Sequence, residues 1–163
     1  KIVQTMGDNK INIMLFDIDG ILTDGAIYID SNGKETKRIF FEDIDAIFEL
    51  KRSGLKVGFI TGEENEFCDY VDQRFSPDFM VTGCKDKLSG FKMLAEKYDL
   101  DKALVCYVGD SKRDIELLRF VRISFAPADS SEEVKKAAKE VLKASRGAGV
   151  IREVVTKILR EIG

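Results

Sequence analysis

The sequence predicts an α/β protein built as a three-layer, doubly wound parallel sheet, and three observations carry that prediction. Short runs of apolar and β-branched residues recur at 11–16, 56–60, 79–81, 104–108 and 123–126, and runs of that length bounded by polar residues read as strands. Between them lie stretches with helical spacing, namely Ile44, Ile47 and Phe48 ahead of Ser53-Gly54, and Leu88, Phe91, Leu94 and Ala95 ahead of Tyr98. The third observation is the alternation itself, which implies crossover units, parallel neighbours and helices on both faces of the sheet. Sites in such sheets lie at the carboxyl ends of the strands. The residues that directly follow each apolar run are therefore the first candidates.

Each remaining element follows from local chemistry. Gly54 is a helix stop. Residues 26–30 and 34–40 flank Ser31-Asn32-Gly33, and Asn-Gly favours a tight turn, so a β-hairpin covering 26–40 is expected after the first strand. The last third reads as a polar helix from about Ser131, a short stretch around Val141, a glycine-bearing loop at 146–149 and a final helix to Leu159. The 163 residues fit one domain, 1–163, because single cores are usually built from about 100 to 200 residues.

Composition removes several classes of function. With 44% hydrophobic and 34% charged residues the chain can bury a sizeable core. A formal charge of -3 argues against broad nucleic-acid binding, which shows itself as a basic excess on one face. Apolar runs such as 13–16 and 57–60 fall far short of the roughly 20 residues that cross a bilayer, and no signal-peptide pattern is seen. Cys68, Cys84 and Cys106 are odd in number and irregularly spaced, so a reducing cytoplasmic setting is expected. Histidine is absent, which excludes Ser-His-Asp and Cys-His catalysis and histidine-ligated zinc. Acid–base work then falls to carboxylates, lysines or tyrosines, and any metal must accept oxygen ligands.

The first strand runs straight into Asp17-Ile18-Asp19-Gly20. A carboxylate held at the sheet edge can attack as a nucleophile, and a second one two residues on can lie across the breaking bond as proton donor. Thr61 follows the second strand, Lys87 opens the helix after the third, and Asp110 follows Gly109 at the end of the fourth. A phosphate donor, a fixed positive charge and a metal-binding carboxylate are the parts of an in-line phosphoryl transfer.

Blander uses compete for some of these residues. A calcium loop fails because Ile21 stands where a further oxygen ligand is needed and the loop follows a strand. Thr61 can cap a helix beginning near Glu63. Asp43 and Asp114 can be first-turn acids, with capping favoured for Asp43 and a place beside the metal for Asp114. Cys68 and Arg74 have cysteine-phosphatase spacing, but the intervening Asp69-Tyr70-Val71-Asp72-Gln73 offers no glycine and two repelling acids.

In this order the residues resemble the four motifs of the haloacid dehalogenase superfamily over nearly the whole chain. The resemblance narrows to the capless branch that dephosphorylates 3-deoxy-octulosonate 8-phosphate and nonulosonate 9-phosphates. Its marks are Asp17-Ile18-Asp19-Gly20-Ile21-Leu22-Thr23-Asp24-Gly25, Ile60-Thr61-Gly62, Asp86-Lys87, Tyr107-Val108-Gly109-Asp110 and Gly149-Val150-Ile151-Arg152-Glu153. The resemblance implies a magnesium-dependent phosphatase with an aspartyl-phosphate intermediate. In it Asp17 is nucleophile and metal ligand, and Asp19 is general acid and backbone ligand. Thr61 and Lys87 hold the phosphoryl group, Asp110 binds metal, and Asp114 and Ser111 support it. It also implies a homotetramer whose hairpin reaches a neighbouring site.

The chain departs from the family at Ser111, where Gly-Asp-Asp is usual, and at Ala148, where the late loop usually carries Arg or Glu between its glycines. Gly62, Glu63, Arg74 and Arg146 are the expected substrate contacts. Glu63 after Thr61-Gly62 points to a nine-carbon sugar acid, with the eight-carbon acid as alternative, and an arginine suits the substrate's carboxylate. A similar domain is fused to acylneuraminate cytidylyltransferases, so a non-catalytic oligomerisation module is the alternative from another class.

Overall fold

The computed structural model describes residues 10–162; the remainder of the expected unit 1–163, residues 1–9 and 163, lies outside the described residues. Six strands form one parallel sheet: β1 (Ile13–Phe16), β4 (Lys56–Ile60), β5 (Phe79–Val81), β6 (Val105–Val108), β7 (Ile123–Ala126) and β8 (Glu140–Val141), in the order β5-β4-β1-β6-β7-β8. β1 sits centrally, paired with β4 and β6, and its four residues are all buried. A strand covered on both faces needs a continuous apolar run, which is what residues 13–16 supply. The sixth strand has the weakest sequence signal. Glu140 and Val141 pair with Phe125 and Ala126 at the sheet edge, where two residues suffice and no apolar run marks them.

Side-chain alternation divides the core in two. Met14, Phe16, Val57, Phe59, Cys106 and Val108 pack on one face, together with Ile47 and Leu50 of α1 (Phe41–Arg52), Val71 and Phe75 of α2 (Glu66–Phe75), and Val154 and Ile158 of α6 (Val150–Ile162). Ile13, Leu15, Val105 and Tyr107 pack on the other face. That face is covered by Phe91 and Leu94 of α3 (Lys87–Tyr98), Leu117 and Leu118 of α4 (Ile115–Phe120), and Val134 of α5 (Glu132–Ala137). The doubly wound three-layer fold expected from the sequence is the fold observed.

The inserted hairpin is smaller than its expected span of 26–40. β2 (Tyr28–Ile29) and β3 (Glu35–Thr36) pair over two residues each, and an isolated antiparallel bridge joins Thr23 to Ile39 at the base of the arms. The loop is closed by Asp30, whose Oδ1 accepts from the N–H groups of Asn32 at 2.8 Å and Lys34 at 2.9 Å, while Gly33 takes φ +79°. A three-residue loop ending in a left-handed glycine is the expected device for such a hairpin. Ile27, Tyr28 and Ile29 of this hairpin are exposed. Among the described residues this hairpin is the only folded insertion between β1 and α1, and no cap is present.

Asp43 shows where local reading ends. It lies in the first turn of α1 but caps another helix: its Oδ1 accepts from Arg152 N–H at 2.9 Å, at the start of α6. The side chain is fully buried. Burial lifts its pKa to about 6, opposed by the N–H groups of Arg152 and Ile151. Asp43→Ala is expected to cost about 1–2 kcal/mol through the lost cap, seen as a fall of several degrees in Tm. An unchanged melt would show that α6 needs no such cap.

Candidate active site

The candidate site lies where β1, β4 and β6 end. Asp17 follows Phe16 directly, its N–H donating to Val108 O at 3.0 Å, which holds the residue in line with the sheet. Its Oδ1 accepts from Ile18 N–H at 2.8 Å and lies 3.0 Å from Lys87 Nζ. The chain then turns: the N–H groups of Ile21, Leu22 and Thr23 all donate to Ile18 O. Gly20 takes φ +89°, and a Cβ there would stand 1.9 Å from Asp110 Oδ2. Only glycine lets this turn pass so close to the β6 loop. Asp19 projects from the turn, partly exposed, and Lys37 of the hairpin donates to its Oδ1 at 2.7 Å.

Thr61 is buried at the end of β4. Its N–H donates to Val81 O at 2.8 Å and its carbonyl accepts from Cys84 N–H at 2.9 Å. Its hydroxyl accepts from Glu63 N–H at 3.2 Å. It caps no helix, because α2 begins three residues past Glu63 and is capped by Asn65. Lys87 opens α3 behind an Asp86 cap and reaches the site fully buried.

Asp114 organises the far wall. Its Oδ1 accepts from Tyr107 Oη at 2.5 Å and Lys87 Nζ at 3.0 Å. Its Oδ2 accepts from the N–H groups of Asp110 and Ser111, both at 3.0 Å, and from Ser111 Oγ at 3.1 Å. Five donors saturate this carboxylate. Serine in place of the family's second acid thus donates where an ionised carboxylate would repel. Gly109 makes the approach possible, since a Cβ there would meet Asp114 Cβ at 2.6 Å and Tyr107 Cε2 at 2.9 Å. Tyr107→Phe is expected to lower stability by about 1.5–3 kcal/mol, the worth of one hydrogen bond to a charged group. An unchanged urea midpoint would show that bond to be idle.

The electrostatics leave an imbalance. Carboxylate oxygens of Asp17, Asp110 and Asp114 lie within 4.8 Å of one another. Burial, then the charge of Asp114, pushes Asp17 well above the usual carboxylate range, while Lys87 pulls it back. Burial and Asp114 likewise lift Asp110 to about 6. Asp114 itself falls below its ordinary value, because Lys87 and the Tyr107 bond outweigh burial. Lys87, despite burial, is raised by Asp17 and Asp114. Among the described residues Asp110 Oδ1 is buried with no hydrogen-bond partner, which is costly unless something binds it. A hard divalent cation fits this donor set, with Asp17 and Asp110 as ligands and Asp114 behind them.

A pocket of about 300 Å³ lies over these groups, lined by Asp17, Asp19, Gly62, Glu63 and Asp110, among others. Arg146 stands at its edge, its Nη1 3.4 Å from Asp110 Oδ2 and its Nε 3.4 Å from Asp129. Arg74 is not brought here. It is exposed in the last turn of α2, and a ten-residue helix starting beside the site ends about 15 Å away, at the opposite edge of the sheet. Arg74 is not among the residues that line the pocket. Tyr107, part of the Tyr107-Val108-Gly109-Asp110 string, joins the site through Asp114, and three residues not singled out from the sequence belong to it as well: Lys37, Lys112 and Arg113. Only Lys112 and Arg113 carried a signal, as basic residues between Asp110 and Asp114.

Comparisons with known proteins agree with this geometry. A family model described as haloacid dehalogenase-like hydrolase matches residues 71–154. The 3-deoxy-D-manno-octulosonate 8-phosphate phosphatase of Escherichia coli K12 is 31% identical over 150 residues, covering 92% of this chain and 80% of that protein. Its counterpart from Salmonella typhi is 31% identical over 157 residues, covering 96% and 83%. The solved Moraxella catarrhalis phosphatase of the same name, in complex with a magnesium ion, a phosphate ion and a KDO molecule, matches with a TM-score of 0.90 at 28% identity, covering 98% of this chain and 91% of that one. The cobalt-bound Haemophilus influenzae phosphatase matches with a TM-score of 0.88 at 25% identity, covering 99% and 91%. With this fold, the uncapped site and these relatives, the chain belongs to the haloacid dehalogenase-like hydrolases, in the group of the 3-deoxy-D-manno-octulosonate 8-phosphate phosphatases.

Proposed function

We propose that the chain is a magnesium-dependent phosphatase that hydrolyses a phosphorylated 2-keto-3-deoxy sugar acid through an aspartyl-phosphate on Asp17. The observation that carries this reading is the convergence of Asp17, Asp19, Thr61, Lys87 and Asp110 on one pocket. Asp17 and Asp110 would hold the ion, with the Asp19 backbone carbonyl as a further ligand, and the bound ion supplies neutralisation of phosphoryl charge. Asp17 attacks phosphorus, and the bond to the sugar oxygen breaks as Asp19 hands that oxygen a proton. Thr61 and Lys87 stabilise the equatorial oxygens. Asp19 then takes a proton from the water that releases phosphate and regenerates Asp17.

The relatives favour 3-deoxy-D-manno-octulosonate 8-phosphate as substrate. Glu63 favours a second reading, a nonulosonate 9-phosphate, because it lines the pocket and an acid there accepts hydrogen bonds from substrate hydroxyls or amines. Phosphate release from both substrates with magnesium tests both readings. Higher kcat/KM on the nine-carbon ester, lost in Glu63→Ala, supports the second; a preference for the eight-carbon ester supports the first; release from neither sinks both. We also propose a tetramer formed through the hairpin, supported by the exposed Ile27, Tyr28 and Ile29. A scattering mass of one chain in the active enzyme would remove it.

A further inference from the structure

Four carboxylates line the pocket, those of Asp17, Asp19, Glu63 and Asp110, against three cations, Lys87, Lys112 and Arg113. A phosphorylated sugar acid brings still more negative charge, so the state of those cations decides how it is met. Lys87 is held between Asp17 and Asp114, 3.0 Å from each. Lys112 points to solvent, with its side chain 81% exposed and its Nζ 3.8 Å from Glu133. At the rim, Lys37 is taken by Asp19 and Arg146 by Asp110 and Asp129. Among the described residues Arg113 alone of the pocket's cations has neither an ion pair nor a hydrogen bond.

Its placement is built by the fold. The bonds from Ser111 to Asp114 lock the turn Lys112–Asp114 with Asp114 facing inward. Arg113 leaves that turn toward the loop after β4, and its Nη1 would lie 3.2 Å from a Cβ placed on Gly62. It thus reaches over the Thr61-Gly62 loop from the β6 side, and the missing side chain of Gly62 leaves it room. We propose that Arg113 binds an oxyanion of the substrate in this pocket and is a specificity-determining residue of the enzyme. A guanidinium offers a planar fork with permanent charge, which suits a phosphate or a carboxylate in bidentate contact. Two parts of the substrate present that chemistry: the phosphoryl group and the sugar acid's own carboxylate.

The inference rests on the proposed phosphatase reading, and the test separates the two. Binding of inorganic phosphate and of the unphosphorylated sugar acid to the magnesium-loaded protein is measured by calorimetry for wild type, Arg113→Ala and Arg113→Lys, beside kcat/KM on the ester. Arg113→Ala should weaken one of the two ligands about tenfold or more, with a similar fall in kcat/KM, and Arg113→Lys should recover only part because it lacks the fork. Weakened phosphate identifies the phosphoryl group, and weakened sugar acid identifies the carboxylate. Arg119→Ala, on the exposed face of α4, should match wild type in every measurement. An active wild type with Arg113→Ala unchanged in both affinities and in kcat/KM overturns the role of Arg113 alone. A wild type that binds neither ligand overturns it too. A wild type that hydrolyses no ester, yet loses phosphate affinity in Arg113→Ala, overturns the phosphatase reading and leaves the oxyanion site standing.

Discussion

Asp17→Asn is expected to lower phosphate release by about four orders of magnitude or more, the scale on which losing a nucleophile acts, while the metal-free protein becomes more stable at neutral pH. The first effect follows because an amide cannot form the acyl phosphate. The second follows from charge crowding: burial and Asp114 raise the Asp17 pKa well above 3.8. The folded chain therefore holds that proton to higher pH than the unfolded chain does. Wild-type stability falls as pH rises from about 4 through the raised native value. Above that window Asp17→Asn should melt higher than wild type in chelator, and below about pH 4 the difference should vanish. Retained turnover would overturn the nucleophile. A metal-free variant that melts lower than wild type at neutral pH would show that the Lys87 pair outweighs the crowding.

Magnesium should produce the other large effect. Chelation should silence phosphate release and magnesium restore it. An ion bound only to the folded chain at 100 times its Kd adds about 2.7 kcal/mol, or roughly 5–10 °C in Tm for a domain of this size. Asp110→Asn should abolish that shift, because it removes a ligand whose buried Oδ1 has no hydrogen-bond partner among the described residues. Asp114→Asn should keep part of it, since Asp114 is already saturated by donors from Tyr107, Lys87, Asp110 and Ser111. A full magnesium shift in Asp110→Asn would remove Asp110 as a ligand, and full turnover in excess chelator would remove the metal from the reaction.

Much of this was readable along the chain because it depends on local periodicity. The apolar runs at 11–16, 56–60, 79–81, 104–108 and 123–126 contain the strands whose ends must carry the site in a doubly wound sheet. Asp17, Thr61 and Asp110 could therefore be placed on one edge from sequence alone, and Lys87 with them as the residue that opens the helix after the third strand. β8 was legible only as a short stretch around Val141, because its two residues derive their pairing from β7.

Local sequence determined which backbone positions share the sheet's carboxyl edge and which chemistry the absence of histidine leaves available. Direction and distance in space were decided only by the tertiary structure. Asp43 looks like a first-turn acid of α1 and caps α6 because those helices pack side by side. Arg74 is eleven residues past Glu63 in the sequence, yet the rise of α2 carries it to the opposite edge. Tyr107 reads as one more strand residue until alternation turns it toward α3, where Gly109 lets Asp114 fold back onto its hydroxyl. Arg113 gained its unpaired place over Gly62 the same way, because charge neutralisation among Lys87, Asp17 and Asp114 depends on distances between elements that no spacing along the chain encodes.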